Sequence, residues 1–396
     1  MLSFFVGIIY CNNIVKIFSL FYIIINKKGN NYEIIYKIRS DMVKKPILFI
    51  VVILLTLSLI SCSKSKSLNK AFTAEKQEIV SDSILTIADY FPVRENTMKE
   101  YEGIGNEFAE KKTFVEFYED GKVQIKEENP GTTFVRVLEY KDGELREIYA
   151  EGEFYHIENM LNANTNRNNI LLKEPIEIGN SWTNDDGSIK EITSLNERVE
   201  TSSGTYEALE VTTRYQSGDI LKEYYAKDIG LVASIYEQGG NVVKTLLKEI
   251  KNTPKELTVE AYYPTKNKIG TGYVDQIIMF ETNDDVREIL ESILKNPPND
   301  KLIPSISKDV KINEIHLNRE SWILEIDFSK EFTENFNVGS AQEAEMLKSL
   351  VNTLGKFYDV DKVFISIEGK PYESGHFAIR DGEFFKVDTS DSVKIE

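Results

Sequence analysis

Few residues in this 396-residue chain are of a type that does covalent or metal chemistry. There are two cysteines, Cys11 and Cys62, and three histidines, His156, His316 and His376. Cys62 follows Ser61 at the end of the apolar run Ile47 to Ile60, and no thiol occurs after it. A cysteine nucleophile, a Cys-based metal site and an internal disulfide are therefore excluded beyond Cys62, and packing must supply stability there. The histidines are far apart and form no helical pair, so each is expected on the surface or half-buried in a strand rather than as a ligand. No Ser-His-Asp or zinc constellation can be built from them. Glu325 and Asp327 share a strand face, as the carboxylates of a polysaccharide-cleaving enzyme could. With 64 acidic residues in the chain, such neighbours arise by chance. Asn184-Asp185-Asp186-Gly187 lacks the later ligands of a calcium loop and reads as a hairpin turn. No metal, cofactor or catalytic residue is expected.

The surroundings of Ser61-Cys62 say more. Met42-Val43-Lys44-Lys45-Pro46 is a short basic start, the apolar run is too brief for a comfortable span, and Ser63 to Ser67 alternates Ser with Lys. Leu59-Ile60-Ser61-Cys62 resembles a bacterial lipobox. That resemblance implies cleavage between Ser61 and Cys62, acylation of Cys62, and a lipid-anchored protein facing the extracytoplasmic side of the cell membrane. The competing reading is an uncleaved single-pass anchor. Residues 1–41 are expected to be an untranslated upstream extension, with Met42 as the start. Leu2 to Ile25 has the Ile, Asn, Tyr and Phe bias of translated AT-rich DNA, although a first transmembrane helix is the alternative.

Removing residues 1–61 deepens the net charge from −17 to −22. Such a surface repels nucleic acid and anionic headgroups, which are excluded as partners, and keeps the protein in solution. Residues 62–83 are rich in Ser, Lys, Glu and Gln and read as a flexible tether.

Residues 84–250 read as a β-rich domain. Turn signals recur at Asp120-Gly121, Pro130-Gly131, Asp142-Gly143, Asp186-Gly187, Ser203-Gly204 and Ser217-Gly218. Alternating segments such as Thr113 to Tyr118 and Thr132 to Leu138 lie between them, predicting an antiparallel sheet, sandwich or open barrel. Asn162 to Asn169 reads as an exposed loop. Pro175 to Trp182, Val199 to Tyr206 and Tyr224 to Val232 are similar to a β module of bacterial secreted lipoproteins. Trp182 and Tyr225 are expected to plug the core. A curved sheet can enclose a ligand cavity, so a small-molecule or lipid carrier is the alternative function, with nothing to mark its ligand.

Lys251 to Lys255 reads as a linker. Beyond it, strands are predicted at Leu257 to Tyr263, Tyr273 to Phe280, Val310 to Leu317, Ser321 to Phe328 and Val360 to Ile367. Asn283 is expected to cap a helix carrying Val286, Ile289, Leu290, Ile293 and Leu294, stopped by Pro297-Pro298. Ser340 should start a second helix, with Glu343 completing a capping box and Ala344, Leu347, Leu350, Val351 and Leu354 as its stripe. Trp322 is placed on one face with Leu324, Ile326 and Phe328. The order is ββαββαβ, with two helices on one face of a mostly antiparallel sheet, so the whole is α+β.

Residues 254–388, followed by a tail at 389–396, resemble the sporulation and spore germination (GerMN) domain. The resemblance rests on Leu257 to Pro264, Ile303-Pro304-Ser305, Gly339 to Glu343, Leu350 to Leu354 and Val363 to Lys370, with Pro297-Pro298 departing from the usual break. It implies a non-catalytic interaction or scaffold protein of the cell envelope, tied to sporulation or germination, with envelope proteins or a second copy as partners. It carries no catalytic residues. Asn352 and Thr353 are expected to bond backbone locally.

Overall fold

Two-residue turns whose φ angles are both positive set the first half of the fold. Asp120 and Gly121 sit at 49° and 80°, and Asp142 and Gly143 at 53° and 73°. Such turns match the twist of the strands they join. The computed structural model describes residues 85–267, 270–334 and 338–396, all within one compact unit, Asp82–Glu396.

Hairpins build one antiparallel sheet from β1 (Thr97–Ile104), β2 (Lys111–Glu119), β3 (Lys122–Glu128), β4 (Thr133–Lys141), β5 (Glu144–Glu151), β6 (Asn169–Lys173), β7 (Ser181–Thr183), β8 (Ile189–Thr201), β9 (Gly204–Arg214), β10 (Ile220–Ala226), β11 (Gly230–Gln238) and β12 (Asn241–Asn252). The chain runs outward from β1 to the edge at β6, crosses to the other edge at β7, and returns to β12, which pairs with β1. Extra residues at Glu116, Ile148, Val232 and Lys248 shift the register and tighten the coil.

Side chains bring the two edges together. Trp182 Nε1 donates to the Ile170 carbonyl at 3.0 Å, Ile170 N to Asn184 Oδ1 at 3.0 Å, and Asn180 Nδ2 to the Lys173 carbonyl at 2.9 Å. The sheet thus closes into a near-barrel. The short helix α1 (Ile87–Tyr90) lays Ile87 and Tyr90 among Trp182, Leu172, Val211 and Tyr225 in its interior cluster. Trp182 and Tyr225 are buried, as expected.

Strands β2 to β4 are buried on both faces. Val123 and Leu138 join the interior cluster, while Phe114, Phe117, Val135 and Val137 belong to a second core outside the barrel. That core is shared with everything that follows. Lys251 to Lys255, expected as a linker, is strand except at Thr253 and Pro254.

The second half comprises β13 (Lys255–Pro264), β14 (Thr271–Phe280), α2 (Val286–Lys295), β15 (Ile312–Asn318), β16 (Ile323–Phe328), α3 (Glu331–Glu334), α4 (Ser340–Tyr358) and β17 (Lys362–Ile367), then short β18 (Lys370–Pro371), β19 (Phe385–Lys386) and β20 (Val393–Lys394). The ββαββαβ order and the α+β class hold. Hydrogen bonding divides the strands into two sheets, β13-β14-β20 and β15-β16-β17-β18, with β16 and β17 parallel. Both helices bury apolar stripes, Leu290, Ile293 and Leu294 from α2 and Leu347, Leu350, Val351 and Leu354 from α4.

Four local expectations are corrected. Asp285, not Asn283, caps α2, its carboxylate accepting from Arg287 N. Gly339 is the cap residue of α4 and makes no side-chain cap bond. Glu343 therefore completes no capping box. Trp322 has φ of 54° and lies in the turn before β16, 45% exposed, rather than beside Leu324, Ile326 and Phe328. His156, expected half-buried or exposed, is buried in the loop after β5.

Candidate functional site

Ser61 and Cys62, the residues assigned to cleavage and lipid attachment, lie outside the described residues. A buried polar constellation sits where the barrel meets the second half. β1 pairs with β2 only as far as Phe114, which leaves main-chain groups of Val115 to Tyr118 open on that side. Thr282 and Asn283 occupy the gap. Thr282 Oγ1 donates to the Val115 carbonyl at 2.7 Å and Asn283 N to the Glu116 carbonyl at 2.9 Å. The Asn283 amide accepts from Tyr118 N at 2.9 Å and donates to Tyr118 O at 3.2 Å. With φ of 71°, Asn283 is in the left-handed region that asparagine tolerates better than most residues.

The loop between β5 and β6 is nailed to the barrel's outer face by two buried side chains. Gln124 donates to the Glu158 carbonyl and accepts from Met160 N, at 2.8 and 2.7 Å. Lys126 donates to the carbonyls of Phe154 and His156 and pairs with Glu116 at 3.2 Å, both side chains almost fully buried. These bonds aim Glu158 at the turn between β15 and β16. Arg319 in that turn donates to Glu158 at 2.9 Å and to Glu151 at 2.8 Å.

Two histidines that are distant in sequence converge on the same carboxylate. His156 Nε2 is 3.3 Å and His316 Nδ1 3.6 Å from Glu158. Burial pushes the Glu158 carboxyl up, but the bonds from His156 and Arg319 outweigh it and leave it at about 2. Burial holds the His156 imidazole below its usual range, against the pull of Glu158. His156 is therefore a neutral donor whose ring lies tilted against those of Phe154 and Tyr358, at centroid distances of 4.2 and 5.0 Å. Glu158, His316 and Tyr358 also line an open cleft of about 620 Å³, together with Asn283 to Arg287. Nothing in the sequence spacing marked this convergence, because a folded loop and a hairpin turn supply its members.

The remaining candidates are hydrogen-bonded within the fold. Glu343, on the first turn of α4, is buried and bonded by Tyr372 at 2.7 Å, by Ser374 and by His376 at 2.6 Å. Serine and histidine both turn to the carboxylate, so the histidine is not set to draw a proton from the serine. Asp327 holds Ser366, Asn313 and Gly369 N at 2.6 to 2.8 Å, while Glu325 takes one bond from Asn318. Asn352 and Thr353 bond backbone, but mostly across elements: Asn352 with Asp388, Thr353 with Tyr262 and with Ser349 one turn back. Among the described residues no group of three His, Cys, Asp or Glu could hold a metal ion, and no helix is long and apolar enough to cross a membrane.

The near-barrel antiparallel sheet and the α+β unit that follows it thus share one core and are joined by buried polar clusters. Residues 260–373 match the Germane family, described as Sporulation and spore germination, so the chain carries a GerMN domain. The tandem GerMN domains of the sporulation protein GerM from Bacillus subtilis align at 21% identity over 33% of this chain and 46% of that one, with a TM-score of 0.26. A presumed lipoprotein from Clostridium perfringens aligns at 20% identity over 34% of this chain and 88% of its own, TM-score 0.21. A presumed exported protein of YmcC-like fold from Bacteroides fragilis aligns at 15% over 41% and 98%, TM-score 0.28. The chain spans less than half the length of the tandem GerM structure. No curated protein matches.

Proposed function

We propose that this is a lipid-anchored protein of the cell envelope, linked to sporulation or spore germination, that works by contact with other envelope proteins and not by turnover. The observation that carries the reading is the Germane match at residues 260–373. The anchor is supported by the apolar run ending at Ser61-Cys62, since two or more acyl chains hold a protein to a bilayer stably. The contact role is supported by the chemistry of the clusters. Glu158, Glu343 and Asp327 each accept several protein donors that fix loops, which uses their capacity for structure.

Mass spectrometry of the membrane-extracted protein should find Cys62 as the acylated amino terminus, and Cys62→Ala should move the protein to the soluble fraction. An unmodified thiol overturns the anchor. Crosslinking in sporulating cells should capture a reproducible protein partner through the Germane surface. Capture of glycan or lipid alone overturns the contact role.

A further inference from the structure

The inward side chains of the barrel do not fill it. They leave a cavity of about 270 Å³, near the lower end of the roughly 300–1,000 Å³ usual for small-molecule sites. Its walls are largely apolar, with Phe91, Val115, Ile125, Leu138, Leu171 and Leu231 prominent. Val93, Arg94, Ile250 and Asn252 are exposed lining residues and mark its mouth.

The charges around this cavity do not balance. Glu127 is paired with Lys111 at 3.0 Å, Glu147 with Arg136 at 3.3 Å, and Glu223 with Lys190 at 2.8 Å. Each carboxylate thus has its cation. Arg94 and Lys99 are left over. Arg94 donates to the Asp228 carbonyl at 2.8 Å and Lys99 to the Ile229 carbonyl at 2.5 Å. Among the described residues no carboxylate lies within ion-pair distance of either. Arg136 also lines the cavity, but its guanidinium is held by Glu147 at 3.3 Å and Glu127 at 3.8 Å. A chain of net charge −17 therefore encloses a chamber of reversed sign. A cation taken out of water without a counter-charge is costly, and burial together with Arg94 brings the Lys99 amine down to about 8. A ligand carboxylate would relieve that cost.

We propose that the barrel cavity binds a small amphipathic organic anion, a medium-chain carboxylate, with its acid end on Lys99 and Arg94 and its apolar body along Val115, Ile125 and Leu138. The inference is independent of the Germane reading, because it rests on the barrel alone.

Calorimetric titration of the full chain in lipid nanodiscs, with empty nanodiscs as the blank, tests it. Sodium octanoate should bind saturably at one site per chain, 1-octanol about tenfold more weakly or worse, and octylammonium not at all. Hexadecanoate should bind no tighter than octanoate, since the chamber has no room for the longer chain. Lys99→Gln should weaken octanoate about tenfold and leave octanol unchanged. Leu138→Phe, which keeps every charge and fills space, should abolish binding of both with little change in melting temperature. Absence of saturable octanoate binding, equal affinity for octanol, tighter binding of hexadecanoate, or an unaltered Lys99→Gln variant overturns the proposal.

Discussion

Asn283 and Tyr118 are joined by two hydrogen bonds, amide oxygen from Tyr118 N and amide nitrogen to Tyr118 O. One side chain thereby imitates a neighbouring strand. The same device recurs at Asn166 on Ala150 and at Asn352 on Asp388. Each closes a place where the main-chain ladder has run out.

Asn283→Ala should lower unfolding free energy by about 1–3 kcal/mol, from two lost bonds and a left-handed backbone that alanine disfavours. Asn283→Gly keeps the backbone angle easy and should cost less. Denaturant midpoints for the two variants check this, and equal losses would show that the angle does not matter.

Arg319→Met leaves Glu158 and Glu151 without their shared cation and should cost about 1–3 kcal/mol, discounted from fully buried values because Arg319 keeps 24% side-chain exposure. Adding Glu158→Gln should restore part of the loss. A double-mutant cycle measures the coupling, and simple additivity would show that the pair does not hold the junction.

Acid should weaken the protein in two stages. His156 has a depressed affinity for protons in the fold, so its share of stability is complete above about 6.5 and is lost as the pH falls below that. Glu158 is ionised down to about 2, whereas the unfolded carboxyl protonates near 4.5, so its share is lost from 4.5 downward. Melting temperature against pH should show both slopes. His156→Phe should flatten the first and Glu158→Gln the second; unchanged slopes would place the sensitivity elsewhere.

Trp182→Phe keeps the ring in the barrel interior but removes the bond to the Ile170 carbonyl. Loss of about 1–2 kcal/mol is expected, with faster amide exchange in β6 and β7 than in β3 and β4. Uniform exchange would mean that the seam closes without this side chain.

Periodicity and turn chemistry carried most elements into view. Aspartate-glycine pairs located three barrel hairpins, at Asp120-Gly121, Asp142-Gly143 and Asp186-Gly187. The stripes of α2 and α4 were legible because apolar residues both three and four apart line one face of a helix, whereas a strand turns residues three apart to opposite faces. Barrel closure was not legible, since an open sheet and a closed one share the same local alternation. Asn283 misled because Asn283 and Asp285 offer equally good cap chemistry, and only tertiary pairing with Tyr118 decides between them. Glu343 misled likewise: a carboxylate three residues into a helix suits a capping box, but Tyr372, Ser374 and His376 arrive from a distant loop and take it. The charge imbalance inside the barrel was invisible, because it depends on which lysines and arginines fail to meet a partner.

Phe117 and Phe280 stand 5.6 Å apart edge to face, within a core that neither half owns. The unit that matches a family by itself is therefore not a transplantable cassette here. Genetic recombination at Thr253-Pro254 would hand its recipient a bare oily flank, and bring with it Phe280, Val286 and Tyr358. A large-to-small change on one side of that core leaves a void that only a side chain from the other side can fill.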